Sequence, residues 1–151
     1  MTQVFKKLNF KGQPMIYIVA APDSFVPEME AMAGVTRIET DLDKNEKSGF
    51  ILAFCTKQEE VDALCHKADK ILEGDGLLWI AYPKGTSKKY TCEFNRDTGW
   101  ATPGKLGFET VRLVAIDEDW SAMRFRRVEY IKKMSRSFAI TEVGKQKAGR
   151  P

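Results

Sequence analysis

Phe50-Ile-Leu-Ala-Phe-Cys55, Thr56-Lys-Gln-Glu59 and Gly76-Leu-Leu-Trp-Ile-Ala-Tyr82 decide the fold between them. The first and last are short, continuous apolar runs, the pattern of strands covered on both faces, as in a parallel sheet. Thr56 and Glu59 have the spacing of a capping box, in which each side chain satisfies a backbone donor of the other. Val61, Leu64, Cys65, Ala68, Ile71 and Leu72 then recur on one helical face, and Gly74 supplies a stop. Strand, helix and strand in this order make a right-handed crossover between parallel neighbours.

Upstream, Met15-Ile-Tyr-Ile-Val-Ala20 is a third buried run, broken by Ala21-Pro-Asp-Ser24. Asp23 or Ser24 can cap a short helix with Pro27 in its first turn and Gly34 at its end. Val35–Thr40 reads as a strand and 41–48 as a charged loop. Downstream, Pro103 and Gly107 bracket a short helix near 102–106. Glu109–Ile116 and Ala122–Ile131 read as two strands joined by Asp117-Glu-Asp-Trp-Ser121. The expectation is an α/β protein with an open Rossmann-like, mostly parallel sheet and a C-terminal antiparallel hairpin at one edge. This arrangement resembles a trimmed sheet of the methyltransferase type, whose last two strands also form a hairpin.

The whole chain of 151 residues fits one domain. Residues 1–134 are expected to form it, with 135–151 a basic, fraying tail. Charge is uneven: residues 121–151 hold nine Lys/Arg against two Asp/Glu, whereas the rest of the chain is net acidic. The tail reads as solvated, since Phe138 alone interrupts its charges. A composition of 43% hydrophobic and 30% charged residues excludes a disordered chain. No apolar run reaches ~18 residues, so no membrane span is expected. No secretory signal follows Met1, and the three cysteines are too scattered for a metal pattern. A cytoplasmic location with reduced thiols is the expectation.

Ligands of such sheets sit beyond the carboxyl ends of the strands. The first loop there, Ala20-Ala-Pro-Asp-Ser-Phe25, has no glycine, and Pro22 removes a donor. S-adenosylmethionine and NAD are therefore not expected in their usual mode, and neither a cofactor nor a metal is assigned. Thr40 and Asp41 stand where a ribose-binding acid would end the second strand. Asp41 on its own reads as loop. His66 reads as helix surface. The 84–100 loop is the better candidate. It offers Lys84, Ser87, Lys88 and Arg96 as anion donors, with Tyr90 and Trp100 available for stacking. Asp117, Asp119, Trp120 and Arg124 form a secondary set. The acids there either tune one another or cap a turn, and the arginines that follow, Arg124, Arg126 and Arg127, are expected to pair with them.

Ala81-Tyr-Pro-Lys-Gly-Thr-Ser-Lys-Lys-Tyr90, Asn95-Arg-Asp-Thr-Gly-Trp100 and Val114-Ala-Ile-Asp-Glu-Asp-Trp-Ser-Ala-Met-Arg-Phe-Arg126 resemble a bacterial family known as a domain of unknown function. The resemblance spans roughly residues 8–134. It implies a bacterial cytoplasmic protein in which the lysine loop and the acid–tryptophan turn belong to a recurring pattern, and it carries over no catalytic residue. Two readings follow. One is a non-enzymatic module that binds a small anion or an acidic partner through the 84–100 loop, with nucleic acid a weaker partner and no membrane. The alternative is an enzyme of methyltransferase-like descent with an altered cofactor loop.

Overall fold

In the computed structural model, which describes residues 1–131, six strands form one sheet in the order β2-β1-β3-β4-β6-β5. They are β1 (Met15–Val19), β2 (Arg37–Glu39), β3 (Ser48–Phe54), β4 (Leu72–Pro83), β5 (Phe108–Ala115) and β6 (Trp120–Arg127). β2, β1, β3 and β4 pair in parallel. β1, β3 and the Leu77–Tyr82 run of β4 are apolar on both faces, as covered parallel strands are, while β2 is a short, partly exposed edge strand. β6 is antiparallel to β4 and to β5. The expected hairpin is present, but its reversed strand lies inside the sheet and β5 takes the edge. The run 135–151, like 132–134, lies outside the described residues.

Alternation of side chains divides the core in two. One face carries Tyr17, Ile51, Ala53, Leu78, Ile80 and Tyr82, covered by α3 (Gln58–Ile71) through Val61, Leu64, Cys65, Ala68 and Ile71. The other carries Ile16, Ile18, Phe50, Leu52, Phe54 and Trp79. It is covered by α1 (Gln3–Lys7) through Phe5, with Leu8 just beyond, and by the segment around α2 (Val26–Glu30). The indole N–H of Trp79 donates to the Leu8 carbonyl at 2.9 Å, which ties α1 to the sheet. The last short helix, α4 (Ala101–Lys105), leads into β5.

Local corrections are small and have simple causes. The helix α3 begins one residue later than its capping spacing predicts. Glu60, not Glu59, folds back to accept from the backbone N–H groups of Thr56 and Lys57 at 2.9 and 3.0 Å. β4 starts at Leu72, directly after the helix, because Gly74 at φ +48° turns the chain inside a bulge and does not end an element. Among the described residues, no helix is long and apolar enough to cross a membrane.

Candidate functional site

The chain leaves β1 for β2 on one side and returns to β3 on the other, so the segments leaving β1 and β3 diverge. Such a reversal opens a crevice beyond the carboxyl ends of the strands. Ala20, the first residue after β1, has φ +58°. A left-handed turn costs a non-glycine residue about 1–2 kcal/mol, and outliers of this kind gather at ligand sites. Thus the loop contains no glycine but has, at Ala20, a backbone shape that glycine favours.

A cavity of about 390 Å³ occupies this crevice, lined by Ala20, Asp23, Phe54, Thr56, Tyr90 and Trp120 among others. Its aromatic wall is continuous. Trp120 meets Phe54 edge-on at 5.1 Å and Tyr90 at 4.9 Å. Trp120 is 3% exposed, and its indole N–H is buried with no hydrogen-bond partner among the described residues. A buried donor left unsatisfied costs about 1–3 kcal/mol. Tyr90 arrives from the 84–100 loop and Trp120 from the start of β6, so sequence spacing gave no sign that they converge.

The same loop bounds a larger cavity of about 680 Å³ beside it, lined by Lys84, Ser87, Tyr90, Cys92 and Arg96. Four of the six anion-site candidates therefore meet there. Lys88 is exposed and does not line it. Trp100 is a core residue: it is 3% exposed, packs against Tyr82, Phe94 and Phe125, and its indole N–H donates to the Arg96 carbonyl at 3.0 Å. The stacking role expected for it is thereby corrected. The loop is pinned at several points. The Ser87 hydroxyl donates to Asp119 at 2.8 Å, the Glu93 N–H to the Thr56 carbonyl at 3.0 Å, and the Gln58 N–H to the Glu93 carboxylate at 2.9 Å.

The secondary candidates separate. Asp117 accepts from the backbone N–H groups of Asp119 and Trp120, both at 2.8 Å, so it forms the turn. The arginines do not pair with this turn. Arg126 is bound to Asp75 and Arg127 to Asp69, because both lie toward the far end of β6 from the turn. Arg124 also lies toward that opposite end of the sheet. At the second strand, Glu39 is held by Lys44 at 2.8 Å and Arg37 at 3.6 Å, and the Lys44 ammonium keeps its carboxyl below the ordinary range. Asp41 accepts from the Asp43 N–H. His66 is exposed on α3.

These features test S-adenosylmethionine directly. The first loop has no glycine, a proline stands where a donor would, and the acid ending β2 is already neutralised by two cations. The residues do not fit that cofactor in the usual mode of the fold.

No family model and no curated protein sequence matches the chain, so the motif resemblance gains nothing from those comparisons. Solved structures do match. A SAM-dependent methyltransferase from Aquifex aeolicus is similar at 12% identity and a TM-score of 0.56, over 83% of this chain and 88% of that one. The N-methyltransferase NodS from Bradyrhizobium japonicum WM9 is similar at 13% identity and a TM-score of 0.53, over 83% and 92% of the two chains. The same enzyme in complex with S-adenosyl-L-homocysteine gives 12% identity and a TM-score of 0.52, over 83% and 84%. At such identities the likeness concerns the fold, and the chain has a methyltransferase-like Rossmann fold.

Proposed function

We propose that this chain is of methyltransferase-like descent with an altered cofactor loop, and that its crevice takes a small planar ligand such as a nucleoside. The left-handed Ala20 beneath the crevice carries this reading, because a strained turn is retained there without the glycine that would relieve it. The fold likeness supports the descent, and the aromatic wall supports the ligand class. Tyr90 offers its ring for stacking, Trp120 a buried N–H for an acceptor, and Asp23 a carboxylate at the rim for hydroxyl groups.

Titration of the full chain with adenosine, S-adenosylhomocysteine and S-adenosylmethionine, read by calorimetry and tryptophan fluorescence, tests it. The expected result is binding of the nucleoside class that Tyr90→Ala weakens about tenfold, as loss of a base-stacking ring of 1–3 kcal/mol would do. Absence of any nucleoside binding stronger than about 1 mM overturns the reading. The second reading, an anion-binding module, rests on the meeting of Lys84, Ser87 and Arg96 around the larger cavity. It is favoured if phosphorylated metabolites bind and Lys84→Gln abolishes the binding while nucleosides give no signal.

A further inference from the structure

The amino end of the sheet holds charges that the proposed crevice does not use. Arg124 of β6 lies opposite Trp79 of β4 on one side and opposite Arg112 of β5 on the other. Residues paired across strands, and residues two apart along one, project from the same face. Arg112, Arg124 and Arg126 thus share the face that α1 covers. Arg126 is matched, its Nε and Nη2 donating to Asp75 at 2.8 and 2.6 Å.

Arg124 is not matched. It is partly buried, its Nε is fully enclosed, and among the described residues its side chain has neither a hydrogen bond nor an ion pair. Burial first, and then the charges of Arg126 and Arg112, push its pKa below the ordinary guanidinium value, with Asp75 acting the other way. Like charges opposite one another in a sheet are destabilising, and an enclosed donor without an acceptor adds to that cost. A cavity of about 430 Å³ opens at the same place, bounded by Asn9, Lys11, Gln13, Glu73, Arg124 and Arg126.

We propose that this cavity is a binding site for the oxyanion of a small molecule, a carboxylate or a phosphate, held by Arg124 with Lys11 and Arg126 beside it. With Nε enclosed, it is the Nη1–Nη2 edge of the guanidinium that would present two parallel N–H donors to two oxygens of either group. Asp75 is engaged by Arg126, and Glu73 stands at the rim. That pair of acids repels an extended polyanion but leaves room for one charged group, which selects a small molecule over a nucleic-acid backbone.

The test uses the full chain at low ionic strength, titrated by calorimetry with inorganic phosphate and, separately, with succinate. At least one is expected to bind with a Kd below about 1 mM. Arg124→Gln should weaken that binding about tenfold or more, as loss of a charge-assisted bond does. Without ligand, Arg124→Gln should melt at a higher temperature than the parent, because it removes an unmatched charge. Binding by phosphate alone assigns a phosphorylated ligand, and binding by succinate alone a carboxylic acid. Failure of both anions to bind below about 1 mM overturns the site, as does unchanged affinity in Arg124→Gln. If that variant does not fold, Lys11→Gln, on an exposed residue, decides: weaker binding supports the site and unchanged affinity overturns it. Tyr90→Ala should leave this affinity intact, so the two proposals fail independently.

Discussion

At the carboxyl end of the parallel strands, several acids are engaged by neighbouring turns and loops. Asp117 holds its own turn, Asp119 receives the Ser87 hydroxyl, and Glu60 closes the first turn of α3. At the amino end, Arg112, Arg124 and Arg126 crowd one face; Arg126 is ion-paired with Asp75, and among the described residues neither Arg112 nor Arg124 has an ion pair. The first end is built mainly from turns and short-range caps around an aromatic wall. The second is built by strand register, which brings Arg112 and Arg124 together whatever their charge. It is at the second end, where the backbone brings like charges together, that an oxyanion is proposed as the partner.

That contrast can be broken at its largest contact. Phe5→Ala removes the aromatic plug that seats α1 on the sheet, where Phe5 meets Phe10, Phe25 and Phe50 with ring centroids 5.9–6.3 Å apart. A loss of about 3–5 kcal/mol in urea unfolding is expected. A loss below about 1 kcal/mol would show that α1 does not roof the amino end.

A second, smaller effect belongs to the carboxyl end. Cys55 follows the end of β3 and is 3% exposed, and burial pushes its thiol up to about 12. Cys65, fully enclosed in α3, is shifted in the same direction by the same cause. In the unfolded chain both thiols ionise near their ordinary value, so above it the unfolded state binds fewer protons and stability falls as pH rises. The slope should approach 1.4 kcal/mol per pH unit for each thiol, starting at about pH 8.5, the unfolded value, and continuing toward the folded one. Urea midpoints measured from pH 8 to 10 check it, and a flat profile in that window would contradict the burial of both.

The smallest effect sharpens the reading of the crevice. Ala20 is exposed and left-handed, so Ala20→Gly relieves strain without emptying the core. After the added freedom of glycine in the unfolded chain, a gain of about 0.5–1 kcal/mol remains. Thermal unfolding reads it. A destabilised variant would mean that the turn is held by contacts of the Ala20 methyl.

Much of the sheet is legible in the sequence because its strands are apolar on both faces. Runs such as Leu77–Tyr82 have no other soluble environment, and Trp79 is fully buried as that logic requires. The hairpin's existence follows from its turn residues, but nothing local says that β6 pairs with β4 and leaves β5 outside. α1 escaped because it is only five residues long. Its signals, the Thr2 cap and Phe5 with Leu8, become meaningful only against the rings beneath them. For the site, residue types in the 84–100 loop were readable and their directions were not. Trp100 turns inward to Tyr82 and Phe125, while Tyr90 turns to Trp120, thirty positions away in the chain. The unmatched Arg124 was equally hidden, since the acids that share its cavity, Glu73 and Asp75, sit on the bulge of β4.

The order of the last three strands sets a timetable for the nascent chain. β5 leaves the ribosome before β6, yet it reaches the sheet only through β6. The edge of β4, with its apolar run from Leu77 to Tyr82, therefore stays open until Trp120–Phe125 has emerged. Through that interval a bare strand edge is available to any neighbouring chain, the condition under which misassociation during synthesis is greatest. Closing the sheet is a single late, long-range event. The half of the protein made first waits on the half made last.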